Sequence, residues 1–498
     1  MQSASDISLD EAAQAIREGA LSPADLLEAC LARIAEVEPI VKAFAAIDSE
    51  RATRDARSLT AELREHGPRG PLHGIPMGVK DMVDVDGMPT RAGSHALDNE
   101  PLPADSPVVK RLRDAGALIL GKTTTHEFAS GITTPPTRNP WDPSRIPGGS
   151  SGGSGAAVAA GECLAALGTD SGGSIRVPSA FCGVSGLRPR LETVPPEGII
   201  PLSWTHDTCG PIARGALDLA LVWRVMADEP AVRTDLPISE MTVGIPDSLQ
   251  SVLEVESGVE EKTAAAAKVL ESQGARLTSV DLPPFNEWDA PRKAVVVSDM
   301  LALHRESGWF PQRASQYGDD TAAFLRGGER ITGADLAVAH RTLRALRRRF
   351  MGMFDVVDVL VIPTTIRSAP RWKEAERTTP LAEQPKDSTF ADARPLVPDV
   401  LRATGPIGWC GLVSVSVPSG FSSEGMPIGV QIVTRDESTA LSAAAHYQSV
   451  TDFHRARPPI DQLATIQGSS ASTTASRLPP SHRTEDQSQP GIPHPHRG

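Results

Sequence analysis

The chain has 498 residues, of which 40% are hydrophobic and 22% are charged, a composition typical of globular proteins. Its formal net charge of −13 argues against a nucleic-acid-binding protein and against binding to anionic membranes, because both need basic surfaces. The sequence contains no run of about 18 apolar residues and does not open with a signal-peptide pattern, so we expect a cytoplasmic protein that does not enter a membrane.

The N-terminal part, about residues 8–60, is predicted to be helical. Ser22 is suited to cap a helix, Pro23 to occupy its first position and Asp25 its third, and apolar residues follow at helical spacing. Further elements are predicted, in chain order, as a strand at 75–80, a helix at 107–115, a strand at 117–120, a helix at 154–167 and a helix at 213–226.

The second half of the chain predicts a β-α-β unit over about 242–281. It is followed by helices at 290–306 and 332–354, a strand at 359–362, a long surface loop at 366–405, and a hairpin formed by 413–417 and 428–433. After residue 462 the composition shifts to Ser, Thr, Pro, Gln and His, which predicts a disordered tail. The alternation of strands and helices favours an α/β core.

The five cysteines are odd in number, widely spread and without a C-x-x-C pair. We expect them to be reduced core residues: Cys30, Cys163, Cys182, Cys209 and Cys410. Neither they nor the histidines form a recognisable metal-binding pattern, so no metal is expected.

Residues 146–186 contain 11 of the 42 glycines. A flexible Gly/Ser linker is one interpretation, but the segment between the two glycine clusters is apolar and helix-like, which a linker would not be. Gly148–Gly152 also matches the nucleophile elbow of α/β-hydrolases, although proline-rich sequence stands where that motif needs a strand. Gly116–Thr123 fits the phosphate-binding P-loop pattern, but its variable positions are Ala-Leu-Ile-Leu, an apolar strand rather than a loop.

Ser174 follows Gly172 and Gly173, in a turn where successive backbone N–H groups can converge on a negative oxygen. Such a serine can attack a carbonyl carbon while its own loop holds the oxyanion, provided that a base removes the hydroxyl proton. Lys80 is a candidate base, because it is a single cation in an apolar strand and desolvation lowers the pKa of a buried lysine. A lysine that is simply ion-paired is the alternative.

These residues resemble the amidase signature enzymes. Gly148 to Arg176 reads G-G-S-S-G-G-S-G followed by D-S-G-G-S-I-R, with Ser150 and Ser174 at the spacing usual in that family. Further motifs resemble the family in the same order, namely Gly74–Asp81, Gly121–Phe128, Arg138–Asp142 and Gly425–Ile432. The resemblance covers about residues 8–460.

The resemblance implies a single large α/β domain over residues 1–462, in which a central mixed, twisted sheet is covered by helices on both sides. It is divided into N-terminal helices at about 8–60, a catalytic core at about 66–230 and a variable, pocket-forming region at about 285–405. The tail at 463–498 lies outside this domain.

The resemblance also implies a Ser–cisSer–Lys triad that cleaves a carboxamide, anilide, ester or carbamate C–N or C–O bond without a cofactor. Ser174 would be the nucleophile, Ser150 the bridging serine after a cis peptide bond at Gly149, and Lys80 the neutral base. The oxyanion hole would consist of the N–H groups of Ser171, Gly172, Gly173 and Ser174. Supporting roles are expected for Gly149, Ser151, Asp170 and Arg176.

The role of Arg176 stays open between a structural ion pair and an anchor for a substrate carboxylate. A second branch of the family comprises one component of the glutamine-dependent tRNA amidotransferases, their A subunit, but its Ser-Ser-Glu-Ala…Ala-Arg-Phe-Asp-Gly segment is missing from residues 285–350, which favours a stand-alone hydrolase. The partner is then a small-molecule amide or carbamate, and a homodimer is left open. An apolar or aryl substrate is suggested by aromatic residues in the variable region and the late loops, namely Trp288, Trp309, Phe310, Trp372 and Trp409, although core packing would explain the same residues.

Overall fold

The computed structural model describes residues 7–227, 232–375 and 396–460. The described residues belong to one compact unit, Met1–Ile460. The predicted tail at 463–498 and residues 376–395 of the predicted surface loop lie outside the described residues.

The helices of the described ranges begin and end as the local sequence dictates. Ser22 caps the second helix by accepting from the Asp25 N–H, and Pro23 occupies its first position, as predicted. The α-helices are α1 Leu9–Arg17, α2 Pro23–Val41, α3 Ser49–His66, α4 Pro107–Asp114, α5 Gly152–Ala160, α6 Arg176–Cys182, α7 Ala216–Met226, α8 Leu249–Leu253, α9 Ser257–Ser272, α10 Asp289–Glu306, α11 Asp319–Gly328, α12 Gly333–Met351, α13 Trp372–Ala375, α14 Leu396–Leu401, α15 Gly405–Cys410 and α16 Glu437–Ser449. None of these helices is long and apolar enough to span a bilayer.

The strands of the described ranges form one eleven-stranded sheet. They are β1 Phe44–Ile47, β2 Pro76–Lys80, β3 Leu118–Thr123, β4 Ala165–Asp170, β5 Ser185–Arg188, β6 Thr208–Ala213, β7 Thr242–Pro246, β8 Arg276–Val280, β9 Val359–Pro363, β10 Val413–Phe421 and β11 Pro427–Thr434. Their order across the sheet is β1-β3-β2-β4-β6-β5-β10-β11-β9-β7-β8. Pairs such as β2 with β4 are parallel and pairs such as β4 with β6 are antiparallel, so the predicted mixed sheet of an α/β domain is confirmed.

The sheet separates two hydrophobic cores. In β9, Val359 and Val361 belong to one core and Leu360 and Ile362 to the other, as expected when successive side chains of a strand point to opposite faces. Both faces of the sheet are therefore covered, and both are covered largely by helices. The β-α-β unit at 242–281 and the hairpin of β10 and β11 are confirmed.

The predicted helix at 154–167 is wrong in its second half. Helix α5 ends at Ala160 because Gly161 adopts a left-handed conformation with φ 78°, and residues 165–170 form strand β4. Both segments are built from small apolar residues, whose spacing does not distinguish a buried helix from a buried strand.

Three other expectations need correction. The helical segment predicted at about 8–60 is interrupted by strand β1, Phe44–Ile47. The strand predicted at 117–120 runs from Leu118 to Thr123, so three of the four variable positions of the apparent P-loop are strand and the phosphate-binding interpretation is wrong. The loop predicted at 366–405 includes helical turns at Trp372–Ala375 and Leu396–Leu401 within its described part.

Candidate active site

The candidate site lies at one edge of the sheet. Strands β2 and β4 are parallel neighbours, with Val79 opposite Leu167, so their carboxyl ends meet at the same edge. Lys80 is the last residue of β2, and Asp170 is the last residue of β4, four residues before Ser174. The topology therefore brings two motifs that are far apart in the sequence to one place.

Lys80 is fully buried and contacts two hydroxyl groups. Its Nζ lies 2.7 Å from Ser150 Oγ and 2.7 Å from Thr169 Oγ1. Burial lowers the pKa of Lys80 to about 7, although the nearby carboxylates of Asp207 and Asp170 act in the opposite direction. A substantial fraction of this amine is therefore neutral at physiological pH and able to accept a proton.

Ser150 sits in a turn that is held from several sides. The Gly149–Ser150 peptide bond is cis, as the resemblance implies. The Thr134 hydroxyl contacts the carbonyl oxygens of Gly148 and Ser150 at 3.0 and 3.1 Å, and the His126 N–H donates to the Ser150 carbonyl at 3.1 Å. A Cβ on Gly149 would lie 2.7 Å from Thr134 Oγ1, so a side chain at this position would displace the turn.

Ser151 joins the two serine-bearing loops. Its N–H donates to the Ser174 carbonyl oxygen at 3.1 Å, and its hydroxyl contacts the backbone N–H and carbonyl of Thr169, both at 3.2 Å. Ser151, for which a supporting role was expected, thus links the start of α5 to the end of β4.

The loop at Ser171–Ser174 leaves backbone donors unused. Within the described part of the chain, the N–H groups of Gly172, Gly173 and Ser174 donate to no protein acceptor, and Gly173 has a φ of +143°, which other residues rarely adopt. The Thr404 hydroxyl donates to the Gly172 carbonyl at 2.6 Å. This combination of a fixed loop and free N–H groups is suited to bind a negative oxygen.

Asp170 and Arg176 form a buried ion pair beneath this loop. Arg176 donates from Nε and Nη2 to the two carboxylate oxygens at 3.0 and 2.9 Å, and from Nη1 to Gln431 Oε1 at 3.0 Å. Burial alone would raise the pKa of Asp170, but Arg176 together with Arg188 lowers it to about 2. Because Arg176 is fully buried and all three of its side-chain nitrogens are engaged, the geometry favours the structural ion pair over a substrate anchor.

Three further residues, which the sequence did not indicate, lie at the candidate site. Thr169 contacts Lys80, as described above. Asp207 accepts from the N–H groups of Leu202 and Ser203 at 2.7 and 3.0 Å, and burial raises its pKa to about 6 despite a hydrogen bond from Ser171. His206 packs against Trp409 with ring centroids 3.9 Å apart. Thr169 directly precedes the second glycine cluster, His206 and Asp207 lie outside the quoted motifs, and only the fold shows their proximity to the site.

Lys122, the lysine of the apparent P-loop, and the five cysteines lie in structural surroundings. Lys122 donates to Thr90 Oγ1 at 2.8 Å and lies 3.1 Å from Asp81 Oδ1, so it holds a neighbouring loop. The five cysteines are buried and free, as expected. Within the described ranges, no group of three or more His, Cys, Asp or Glu residues is placed to hold a metal ion.

The aromatic residues of the variable region and the late loops divide into two sets. Trp288, Phe310 and Trp372 are buried in the hydrophobic clusters. Trp309 and Trp409 are only partly buried at the margin of these clusters. Of the five aromatic residues proposed to shape the pocket, therefore, two retain an accessible face.

Comparisons with known proteins cover nearly the whole chain. The Amidase family model matches residues 25–440. The chain is 36% identical over 499 residues to the A subunit of the glutamyl-tRNA(Gln) amidotransferase from Roseiflexus castenholzii, with 91% of this chain and 98% of that protein covered. It is 35% identical over 477 residues to an amidase of Pseudomonas putida, with 92% and 99% covered. A crystal structure of an amidase matches with a TM-score of 0.79 at 33% identity, covering 89% of this chain and 99% of the other.

Proposed function

Since the chain belongs to the amidase signature family and is an enzyme that hydrolyses amide C–N bonds, we propose that Ser174 is its nucleophile and that Ser150 and Lys80 relay the proton. The contact of 2.7 Å between Lys80 Nζ and Ser150 Oγ is the observation that carries this proposal. A buried amine with a pKa of about 7 is matched to proton transfer at neutral pH.

In the acylation step, Ser174 Oγ attacks the substrate carbonyl carbon. Its proton passes to Ser150 Oγ, whose own proton passes to the neutral Lys80 amine. The carbonyl electron pair moves onto oxygen, where the N–H groups of Ser171, Gly172, Gly173 and Ser174 stabilise the oxyanion. When the oxyanion collapses, the C–N bond breaks and the proton returns from Lys80 through Ser150 to the leaving nitrogen, leaving an acyl ester on Ser174.

Deacylation uses the same groups in the same order. A water molecule attacks the ester carbonyl and gives its proton to the relay of Ser150 and Lys80. Collapse of the second oxyanion breaks the ester bond, and the proton returns to Ser174 Oγ. The lysine thus acts as base and acid in each half of the cycle without a net change in charge.

We assign the chain to the stand-alone hydrolases, acting on a small carboxamide, anilide, ester or carbamate. Relatives named as amidotransferase components and relatives named as amidases match it about equally well. The missing Ser-Ser-Glu-Ala…Ala-Arg-Phe-Asp-Gly segment between residues 285 and 350 supports the hydrolase.

The test is a substrate panel of primary amides, nitroanilides and aryl carbamates with the purified full chain, combined with fluorophosphonate labelling and peptide mapping. Turnover of a panel member and labelling at Ser174 are expected. Labelling at another serine would contradict the nucleophile assignment. Turnover of glutamine alone, together with co-purification of a second protein chain, would favour the amidotransferase branch instead.

A further inference from the structure

Three arginines approach the loop at Asp170–Ser174, and two of them are fully buried. Arg176 is paired with Asp170 and Gln431, as described above. Arg188 is also fully buried, and its Nη atoms donate to the carbonyl oxygens of Asp170, His206 and Gly408 at 2.9 to 3.2 Å. Neither guanidinium has an exposed atom with which to meet a ligand.

The third arginine, Arg292 on α10, lies directly against the candidate oxyanion loop. A Cβ on Gly172 would lie 2.9 Å from Arg292 Nη1, and a Cβ on Gly405 would lie 3.3 Å from Arg292 Cζ. Because these two glycines have no side chain, there is room for the guanidinium between them. Its charge also contributes to the lowered pKa of His206, behind burial and Arg188.

The charge of Arg292 is incompletely compensated. Within the described residues its acidic partner is Asp289, with Nη2 and Oδ1 3.6 Å apart, well beyond the 2.7–2.9 Å of a strong charge-assisted hydrogen bond. Its Nε is buried and has no acceptor. An arginine keeps its proton even when burial lowers its pKa, so this site holds a desolvated cation with spare donors.

The Arg292 side chain is not sealed off, because 13% of its surface remains exposed. The Cα atoms of residues 172 and 174 can be at most about 7.6 Å apart, since each step spans 3.8 Å. A substrate whose carbonyl oxygen binds at the loop therefore needs only a short acyl chain to bring a second group to Arg292.

We propose that Arg292 binds a carboxylate on the acyl part of the substrate, so that the enzyme prefers amides of short dicarboxylic acids to neutral amides. This inference rests on the proposed function, because it places the substrate carbonyl at Ser174. A planar carboxylate accepts hydrogen bonds from the guanidinium and supplies the charge that Asp289 compensates only in part.

The experiment compares succinamate with butyramide, which have the same chain length but differ in the terminal carboxylate. Binding is measured by calorimetry in the non-hydrolysing variant Ser174→Ala, alone and combined with Arg292→Gln. Succinamate is expected to bind at least tenfold tighter than butyramide, and Arg292→Gln is expected to abolish this preference. Turnover of both compounds by the unmodified chain is measured in parallel.

Arg402→Gln is the matched control, because the Arg402 guanidinium already contacts Glu254 and Asp399 at 2.7 and 2.6 Å. Arg402→Gln should leave the preference for succinamate in place. If Arg292 had a merely structural role, Arg292→Gln would weaken the binding of both ligands equally. Equal affinity for the two ligands, or a preference that survives Arg292→Gln, would overturn the inference. Turnover without a preference would overturn it while leaving the proposed function intact, and a preference without turnover would contradict only the proposed function.

Discussion

Thr169 Oγ1 lies 2.7 Å from Lys80 Nζ. The two residues come from the parallel neighbours β4 and β2, and the same nitrogen lies at an equal distance from Ser150 Oγ. When the amine is neutral, one N–H can donate to Thr169 while the lone pair faces the Ser150 hydroxyl. Thr169 is thus placed to orient the base.

Replacing Thr169 with Val should lower kcat by about tenfold while changing KM little, because the substitution removes a contact to the amine and none to the substrate. It should also move the acidic limb of the pH–rate profile to lower pH, since a hydrogen-bond acceptor stabilises the charged amine. Steady-state kinetics across pH measure both effects. Thr169→Ser, which keeps the hydroxyl, should restore both parameters, and a loss of activity in this variant equal to that of Thr169→Val would contradict the role.

The pH dependence of the wild-type enzyme should report the Lys80 amine. Burial lowers its pKa to about 7, and only the neutral form can accept a proton. We therefore expect kcat/KM to be constant above this pH and to fall about tenfold per pH unit below it.

Lys80→Arg is the informative variant for this prediction, because a guanidinium stays protonated throughout the accessible range. It should be inactive at every pH. Activity of this variant near pH 8, or a wild-type profile that is flat between pH 5 and 8, would exclude Lys80 as the base.

Ser174→Ala should reduce turnover by at least about 10⁴-fold, because removal of a nucleophile from a catalytic triad leaves only binding and oxyanion stabilisation. Thermal unfolding should change little, since the Ser174 hydroxyl makes no hydrogen bond within the described residues. Ser442→Ala on α16 is a control of the same chemistry: that hydroxyl is buried but contacts the Arg233 carbonyl, away from the site. Normal turnover by Ser174→Ala would refute the assignment.

Asp170→Asn should lower the free energy of unfolding by about 3–5 kcal/mol at pH 7, because it leaves Arg176 buried without its counter-charge. The folded-state pKa of Asp170, about 2, is below that of an unfolded aspartate. Its stabilising contribution is therefore fully present above about pH 4 and is lost as the pH falls toward 2.

Urea denaturation of the wild type and the variant between pH 2 and 7 measures this difference, which should shrink as the pH falls below 4. Asp114→Asn serves as the control, because its ion pair with Lys110 is exposed and should contribute less than about 1 kcal/mol. A similar small effect in Asp170→Asn would show that the buried pair does not hold the loop.

The sequence by itself determined which residues are candidates for the reactive chemistry. The glycine-rich stretch with Ser150 and Ser174, and the single lysine in an apolar strand, are local patterns that do not depend on long-range contacts. The capping of α2 by Ser22 and the β-α-β unit were predictable for the same reason. Small apolar residues at 154–167 misled the prediction, because their periodicity is shared by buried helices and buried strands.

The tertiary structure decided what surrounds these residues. Thr169 meets Lys80 because two strands 89 positions apart pair in parallel. The sequence left Arg176 open as a ligand anchor because it follows the glycine-rich loop, but no pattern in the sequence singled out Arg292. Their difference lies in their partners, because Asp170 and Gln431 occupy Arg176 completely, whereas Arg292 reaches the loop from a helix more than a hundred residues away and keeps unused donors. Whether a charge is compensated depends on distances through space, and these cannot be inferred from the spacing of residues along the chain.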